Sequence, residues 1–106
     1  MVDLAGQGTN VQARARIFWN QQQKRWFFYV SGLPPAPSDK IYQLWFVPKS
    51  GNPVSAKTFN TGANGATEIE IAVPDEITDL KAAAVTTEPF PGLPQPTGPF
   101  ALLGAM

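Results

Sequence analysis

"VQARARIFWNQQQKRWFFYVSGL", residues 11–33, decides the fold, because two extended patterns flank one polar turn. From Val11 to Ile17 apolar residues alternate with polar ones, which is the period of a strand with one buried face. "WFFYVSGL" at 26–33 is apolar on both faces, and "NQQQKR" before it favours a turn. The stretch therefore predicts a β-hairpin whose second strand is the more buried one.

The rest of the chain reads as further short strands. "IYQLWFV" is apolar on both faces apart from Gln43 and predicts a central strand. "ATEIEIAV" alternates cleanly and predicts a strand whose wet face carries Glu68 and Glu70. "KAAAVTTE" is ambiguous between helix and strand, and its Val and Thr residues together with the following Pro89 favour strand. The predicted strands after the hairpin are 41–47, 54–59, 66–73, 81–88 and 100–104.

About seven short strands separated by Gly, Pro and Asn turns predict an all-β fold, an antiparallel β-sandwich of immunoglobulin-like or similar Greek-key topology. "PDEITDL" at 74–80 predicts at most one short helical turn, near 75–80. Residues 1–10 are small and polar and read as a lead-in segment, either a former juxtamembrane linker or an added start. Residues 11–106 are then a single domain, which suits a length of 106 residues.

Composition argues against several classes of function. Eight basic and eight acidic residues give no net charge, so the basic patch of a nucleic-acid-binding protein is not expected. The chain contains neither cysteine nor histidine, which removes disulfides, the common zinc and copper ligand sets and His-based triads. Glu68 and Glu70 share a wet face, where nothing would raise a pKa for acid-base chemistry. The sequence thus predicts no enzyme, no metal and no cofactor.

The start of the chain and its hydropathy bear on location. No apolar run reaches the 18 or more residues of a membrane-spanning helix, and "MVDLAGQGTN" lacks the features of a signal peptide. These features leave open that the chain belongs to a longer protein.

The aromatic residues from Phe18 to Tyr29 allow two interpretations. Aromatic side chains are common in strands, so core packing and cross-strand pairs are the favoured reading. The alternative is a ligand groove or sugar platform, as exposed aromatics form in binding modules.

"VTTEPFPGLPQPTGPFALLG", residues 85–104, concentrates prolines between two apolar runs. A proline-rich ligand generally carries a basic residue, and none occurs after Lys81. A disordered tail would not end in the apolar run that starts at Phe100. The stretch is therefore predicted to be an ordered, rigid crossover that packs against the sheet.

Two long segments of the chain carry a resemblance to a known family. They are "ARIFWNQQQKRWFFYVSGLPPAPSDKIYQLWFVPKSGNPVSAKTF" and "AAAVTTEPFPGLPQPTGPFALLG". Together they resemble the C-terminal extracytoplasmic domain of the bacterial anti-sigma-K factor family. The most specific pieces are "YQLWFV", "PVSAKTF", "VTTEP" and "PTGP" in this order. Members usually have a Gly-Gly-Ser type turn after Glu-Pro, where this chain has "FPGLPQ". The family-motif residues, structural or interacting, are Tyr42, Gln43, Leu44, Trp45, Pro53, Val54, Ser55, Phe59, Thr87, Glu88, Pro89, Pro96, Thr97, Gly98 and Pro99.

The resemblance implies a function that the residues alone do not. Full-length members are single-pass membrane proteins whose cytoplasmic domain holds an extracytoplasmic-function sigma factor away from RNA polymerase. The present domain would lie outside the membrane, where a site-one type protease starts the release of the sigma factor. The alternative is a secreted or cell-surface β-sandwich that binds a carbohydrate or peptide through exposed aromatics.

Overall fold

A computed structural model describes residues 1–77 and 79–106, and within them the chain forms eight β-strands. The strands are β1 (Val2–Gly6), β2 (Arg14–Asn20), β3 (Arg25–Ser31), β4 (Lys40–Pro48), β5 (Val54–Phe59), β6 (Thr67–Ala72), β7 (Leu80–Pro89) and β8 (Phe100–Ala105). All neighbouring strands are antiparallel. The predicted all-β class is therefore confirmed, with eight strands rather than seven.

The strands form one sheet in the order β5-β4-β7-β8-β1-β2-β3-β6, so the predicted two-sheet sandwich is not what the structure shows. Strand β1 makes the difference, because it pairs with β2 on one side and with β8 on the other. Without it, β5-β4-β7-β8 and β2-β3-β6 would be two separate sheets. The sequence predicts no strand in residues 1–10, since a five-residue strand with two buried apolar positions is too short a signal.

The sheet rolls around one core and is nearly closed. Trp26 of β3 packs edge to face on Phe46 of β4, with ring centroids 4.5 Å apart. Phe28 of β3 meets Phe59 of β5 in the same way at 5.4 Å. Strand β3 is far from β4 and β5 in the strand order, so these contacts cross the interior of the rolled sheet. The favoured reading of the aromatic cluster as core therefore holds for Trp26 and Phe28, which are fully buried.

The predicted hairpin is β2–β3, with register pairs from Arg14↔Ser31 to Asn20↔Arg25. Its turn lacks glycine, and Lys24 adopts the left-handed conformation instead, at φ 54°. Asn20 Oδ1 accepts a hydrogen bond from the Gln23 backbone N–H at 3.1 Å, which closes the turn locally.

The segment predicted to hold a helical turn contains a turn at Asp75-Glu76, where the Ile77 N–H donates to the Pro74 carbonyl at 3.0 Å. Thr78, within the predicted turn, lies outside the described residues. None of the described residues in 75–80 is helical, and Leu80 already begins β7. In the part of the chain that the structure describes, no helix has the length and apolar character to cross a membrane.

Candidate functional site

Strands β4 and β7 bury a second set of side chains, on the face opposite the core. Their register places Gln43 beside Thr86 and Trp45 beside Ala84, so these residues share one face of the sheet. Trp45, Thr86 and Glu88 are all at most 1% exposed, although that face would normally meet solvent. The residues that cover it are 89–99, the proline segment. The candidate site is therefore the contact between the proline segment and the outer face of β4 and β7.

Glu88 is the centre of this contact. Its carboxylate accepts hydrogen bonds from the Thr97 N–H at 3.1 and 3.2 Å, from the Gly98 N–H at 3.2 Å and from the Thr97 hydroxyl at 2.9 Å. On the strand side the Thr86 hydroxyl donates to the other carboxylate oxygen at 2.5 Å. The Trp45 indole N–H in turn donates to the Thr86 oxygen at 2.8 Å. We call Trp45, Thr86, Glu88, Thr97 and Gly98 the Glu88 clamp.

Gln43 holds the other half of the proline segment. Its side-chain amide donates to the Leu93 carbonyl at 2.9 Å and accepts from the Leu93 N–H at 3.1 Å. The same amide nitrogen donates to the Ser55 hydroxyl of β5 at 2.7 Å. Gln43 thus anchors "FPGLPQ", which replaces the family's usual turn.

Two further bonds hold the residues of "FPGLPQ": the Phe90 N–H donates to the Asp39 carbonyl at 3.0 Å, and the Gln95 side chain donates to the Pro53 carbonyl at 3.2 Å. Both halves of the proline segment pack against the sheet, as predicted. The segment is not a crossover, however, because β7 and β8 are paired antiparallel neighbours, so it is a long hairpin connection folded back onto β4 and β7.

Gly98 has a steric reason to be glycine. A Cβ atom at this position would stand 1.7 Å from the carbonyl oxygen of Thr87, a backbone atom that cannot move aside cheaply. Only a residue without a side chain brings its N–H this close to the Glu88 carboxylate. The Gly in "PTGP" is therefore part of the clamp geometry.

The charge of Glu88 is balanced by N–H and O–H groups. The ion pairs among the described residues join Arg16 to Asp3, Lys24 to Asp75, Arg25 to Glu70 and Lys49 to Asp79, and Glu88 is in none of them. Burial alone raises the pKa of Glu88. Hydrogen bonds from Thr86, Thr97 and Gly98 together outweigh burial, and the pKa lies below the usual glutamate value. The carboxylate stays ionised and fully engaged, which suits it to hold a loop rather than to accept a proton from a substrate.

Acid is expected to weaken the clamp. The lowered folded-state pKa contributes stability that is complete above the unfolded glutamate pKa of about 4.3 and is lost as pH falls through the folded pKa. We therefore expect the stability difference between wild type and Glu88→Gln, measured by urea unfolding, to shrink from pH 7 towards pH 3. If the stability difference between wild type and Glu88→Gln were the same at both pH values, the ionised form of Glu88 would not be what holds the clamp.

The two buried tryptophans give a matched test of the indole hydrogen bond. Trp45 Nε1 donates to Thr86, whereas Trp26 Nε1 is buried and has no acceptor among the described residues. Both lose ring volume on replacement by phenylalanine, but only Trp45→Phe also breaks a buried hydrogen bond. Trp45→Phe should therefore cost about 1–2 kcal/mol more than Trp26→Phe in thermal or urea unfolding. Equal costs would mean that the Trp45 bond contributes nothing.

The structure divides the family-motif residues into three groups. One group takes part in the hydrogen-bond network between the sheet and the proline segment: Gln43, Trp45, Ser55, Glu88, Thr97 and Gly98. Tyr42, Leu44 and Phe59 belong to the main core instead, where burial raises the pKa of Tyr42 and its hydroxyl donates to the Pro34 carbonyl. The remaining motif positions lie at the surface or partly covered, with no such bond from their side chains: Pro53, Val54, Thr87, Pro89, Pro96 and Pro99.

Sequence reasoning missed Thr86 and Leu93 as members of the site. Thr86 could have been found, because it lies two positions before Glu88 and therefore on the same strand face. Leu93 contributes only backbone groups, which no side-chain pattern reports. The Phe90–Pro91 peptide bond is cis, a second feature of this loop that local sequence does not specify.

The other candidate residues lie elsewhere. Glu68 and Glu70 are exposed on β6, as predicted for a wet face. Phe18 and Tyr29 are 45% and 42% exposed and form an edge-to-face pair at 5.9 Å on the outside of β2 and β3. Within residues 1–77 and 79–106, no cluster of three acidic side chains is placed to hold a metal ion.

Comparison with known proteins identifies relatives. The family described as "Anti-sigma-K factor rskA, C-terminal" matches residues 1–100. The "Dysfunctional anti-sigma-K factor RskA" of Mycobacterium bovis is 29% identical over 87 residues, which are 79% of this chain and 35% of that protein. An "Uncharacterized protein in phr 5'region" of Streptomyces griseus is 30% identical over 92 residues, 86% of this chain and 37% of that protein. The chain thus spans little more than a third of these relatives. No solved structure gives a significant match.

Proposed function

Because this chain belongs to the family of anti-sigma-K factor C-terminal domains, we propose that it is the extracytoplasmic sensory and protease-gating domain of a membrane-bound anti-sigma factor. In the full-length protein a cytoplasmic domain outside this chain would bind an extracytoplasmic-function sigma factor. A membrane helix between the two would carry the signal. The family is named for a regulatory activity and not for an enzymatic one.

The observation that carries this proposal is the way in which the proline segment is held. "VTTEP" and "PTGP", two of the family's recognisable pieces, are the two sides of the Glu88 clamp. A few partly buried hydrogen bonds to Gln43 and Glu88 hold the segment, so it has one well-defined closed state. Losing these bonds would free about ten residues without dismantling the main core, which lies on the other face of the sheet.

Gating by proteolysis follows from the same geometry. A protease needs several residues of extended, accessible chain, and local unfolding supplies them at a cost set by the contacts that hold the segment. Phe90, at the edge of the segment, is 67% exposed already. In the closed state the residues after it are tied to Gln43 and Glu88, which restricts access. An opened clamp would present the proline segment to a site-one type protease or another extracytoplasmic partner.

The test uses the full-length protein and a reporter gene driven by its sigma factor. We expect Glu88→Gln to raise reporter expression several-fold over wild type, and Glu68→Gln, an exposed glutamate on β6, to leave it unchanged. Unchanged expression with Glu88→Gln, despite a measured loss of stability, would contradict the gating role. A pull-down of the full-length protein that recovers no sigma factor would argue against the anti-sigma role itself.

A second candidate function is the binding of a carbohydrate or peptide by a secreted or cell-surface domain. The exposed Phe18–Tyr29 pair favours it, since both rings border a concave surface that also carries Arg14, Arg16 and Ser31. Tryptophan fluorescence titrated with glycans separates the two candidates. A saturable shift that is lost in Tyr29→Ala would support the binding module, and no shift would leave the gating domain as the better proposal.

A further inference from the structure

An apolar groove of about 610 Å³ lies on the outer face of the sheet beside the proline segment. Its lining combines small residues of β7, Ala82 and Ala84, with larger side chains, Trp45, Phe100 and Leu103. Its volume is in the range of small-molecule sites.

The groove has one charged side chain, and it lies at one end. Lys81 lies at the start of β7, whereas Phe100, which pairs with Thr86, and Pro96 of the proline segment lie at the other end. No acidic residue lines the groove, and Lys81 takes part in none of the ion pairs among the described residues. From Lys81 to the level of Thr86 the strand rises about 16 Å, at about 3.3 Å per residue. This length suits one medium acyl chain with an anion beside the lysine.

The backbone around the groove argues against a peptide. Strand β7 pairs with β4 on one side and with β8 on the other, so its N–H and C=O groups are already engaged. A peptide lying in the groove would bury its own polar backbone without partners, which is costly. An acyl chain has no polar groups to satisfy and gains from burial.

We propose that this groove binds the chain of a free, single-chain anionic amphiphile, such as a fatty acid, with its carboxylate at Lys81. The proposal goes beyond the gating function, since it names a ligand class that such a sensory domain would recognise. The binding itself requires neither a sigma factor nor a protease.

The probe is 11-bromoundecanoate, used below its micelle concentration, because bromine quenches tryptophan at short range. Trp45 lines the groove, so we expect saturable quenching of the 106-residue chain. Ala82→Leu adds bulk at a lining position of the groove and should weaken binding at least tenfold. Ala105→Leu changes a second, exposed lining position outside the core and should also weaken binding. Ala72→Leu, an exposed alanine on edge strand β6, is the control and should bind like wild type.

The head group is tested by charge. We expect Lys81→Gln to bind 11-bromoundecanoate several-fold more weakly, Lys57→Gln on β5 to bind it unchanged, and the uncharged 11-bromoundecanol to bind wild type more weakly than the acid. The proposal would be overturned if wild type showed no saturable quenching. It would also be overturned if both Ala82→Leu and Ala105→Leu bound 11-bromoundecanoate with the affinity of wild type. Equal binding of the alcohol and the acid would overturn it as well.

Other occupants give different results. Quenching by vesicles of brominated phosphatidylglycerol, with none by the free acid, would assign the groove to a bilayer and overturn the proposal. A dimer seen by sedimentation that Ala82→Leu dissolves, again without quenching by the acid, would assign it to a second copy. Failure of the titration leaves the reporter test of Glu88→Gln unaffected, so the two proposals can fail separately.

Discussion

Replacing Glu88 by alanine is expected to lower the free energy of unfolding by about 3–5 kcal/mol, since each buried donor left without a partner costs about 1–3 kcal/mol. The Thr86 hydroxyl and the Gly98 N–H lose their carboxylate partner in a covered site, whereas exposed Thr97 can turn to water. The substitution also leaves a cavity under the proline segment. Urea unfolding of wild type and Glu88→Ala measures the loss.

Two matched variants separate the loss of the clamp's hydrogen bonds from the general effect of removing a negative charge on stability. Glu88→Gln keeps the shape of the side chain, but its amide group faces donors from the proline segment, and we expect it to cost about 2 kcal/mol. Glu68→Gln removes an exposed glutamate on β6 and should stay within about 0.5 kcal/mol of wild type. If the two variants were equally stable, the carboxylate of Glu88 would not be holding the segment.

The clamp also predicts which backbone amides lose protection from hydrogen exchange in Glu88→Ala. In Glu88→Ala the amide hydrogens of Leu93, Thr97 and Gly98 should exchange faster with solvent, since the proline segment then opens while the sheet stays folded. Core amides, such as that of Phe28, should change only by the loss in global stability. Uniform acceleration over the whole chain would show that the segment and the sheet unfold as one unit, which would remove the basis for a local gate.

The strands that sequence predicted well are those with a local pattern. Strand β6 alternates Glu68 and Glu70 with buried Ile71, and β4 is apolar on both faces, so each was visible within one short window. Strand β1 was not visible, because its two buried residues, Val2 and Leu4, make too short a pattern. The single sheet depends on β1 pairing with β8, at the opposite end of the chain. Local periodicity carries no information about such a long-range pair.

The resemblance named several residues of the candidate site but not their arrangement. The resemblance singled out Glu88, Thr97 and Gly98, yet it did not say that they touch. Gln43 and Thr86 look like surface residues in sequence, because a polar residue on a strand normally faces water. They are buried only because the proline segment covers them, and that depends on tertiary structure. A polar exception inside an apolar strand, such as Gln43 in "IYQLWFV", is the signal that could have suggested a covered face.

The joining role of β1 predicts that Leu4→Asp will largely unfold the protein. Leu4 is 1% exposed and lies in the core, so an aspartate there would bury a charge without a partner. We expect a loss above about 4 kcal/mol, against a total of about 5–15 kcal/mol for a typical domain. Circular dichroism and urea unfolding would detect it. Ala5→Asp places the same group one position later, on the exposed face of β1, and should cost less than about 0.5 kcal/mol.

The pair of variants also decides between two architectures. In the single sheet, β1 shields the edges of β2 and β8, and its inward side chains complete the core, so only the inward position is sensitive. In a seven-strand sandwich, residues 1–10 would be a lead-in outside the fold, and both substitutions would be equally harmless. A folded, stable Leu4→Asp protein would therefore contradict the continuous sheet. A large loss confined to Leu4→Asp would show that the first few residues, which carry almost no sequence signal, hold the two halves together.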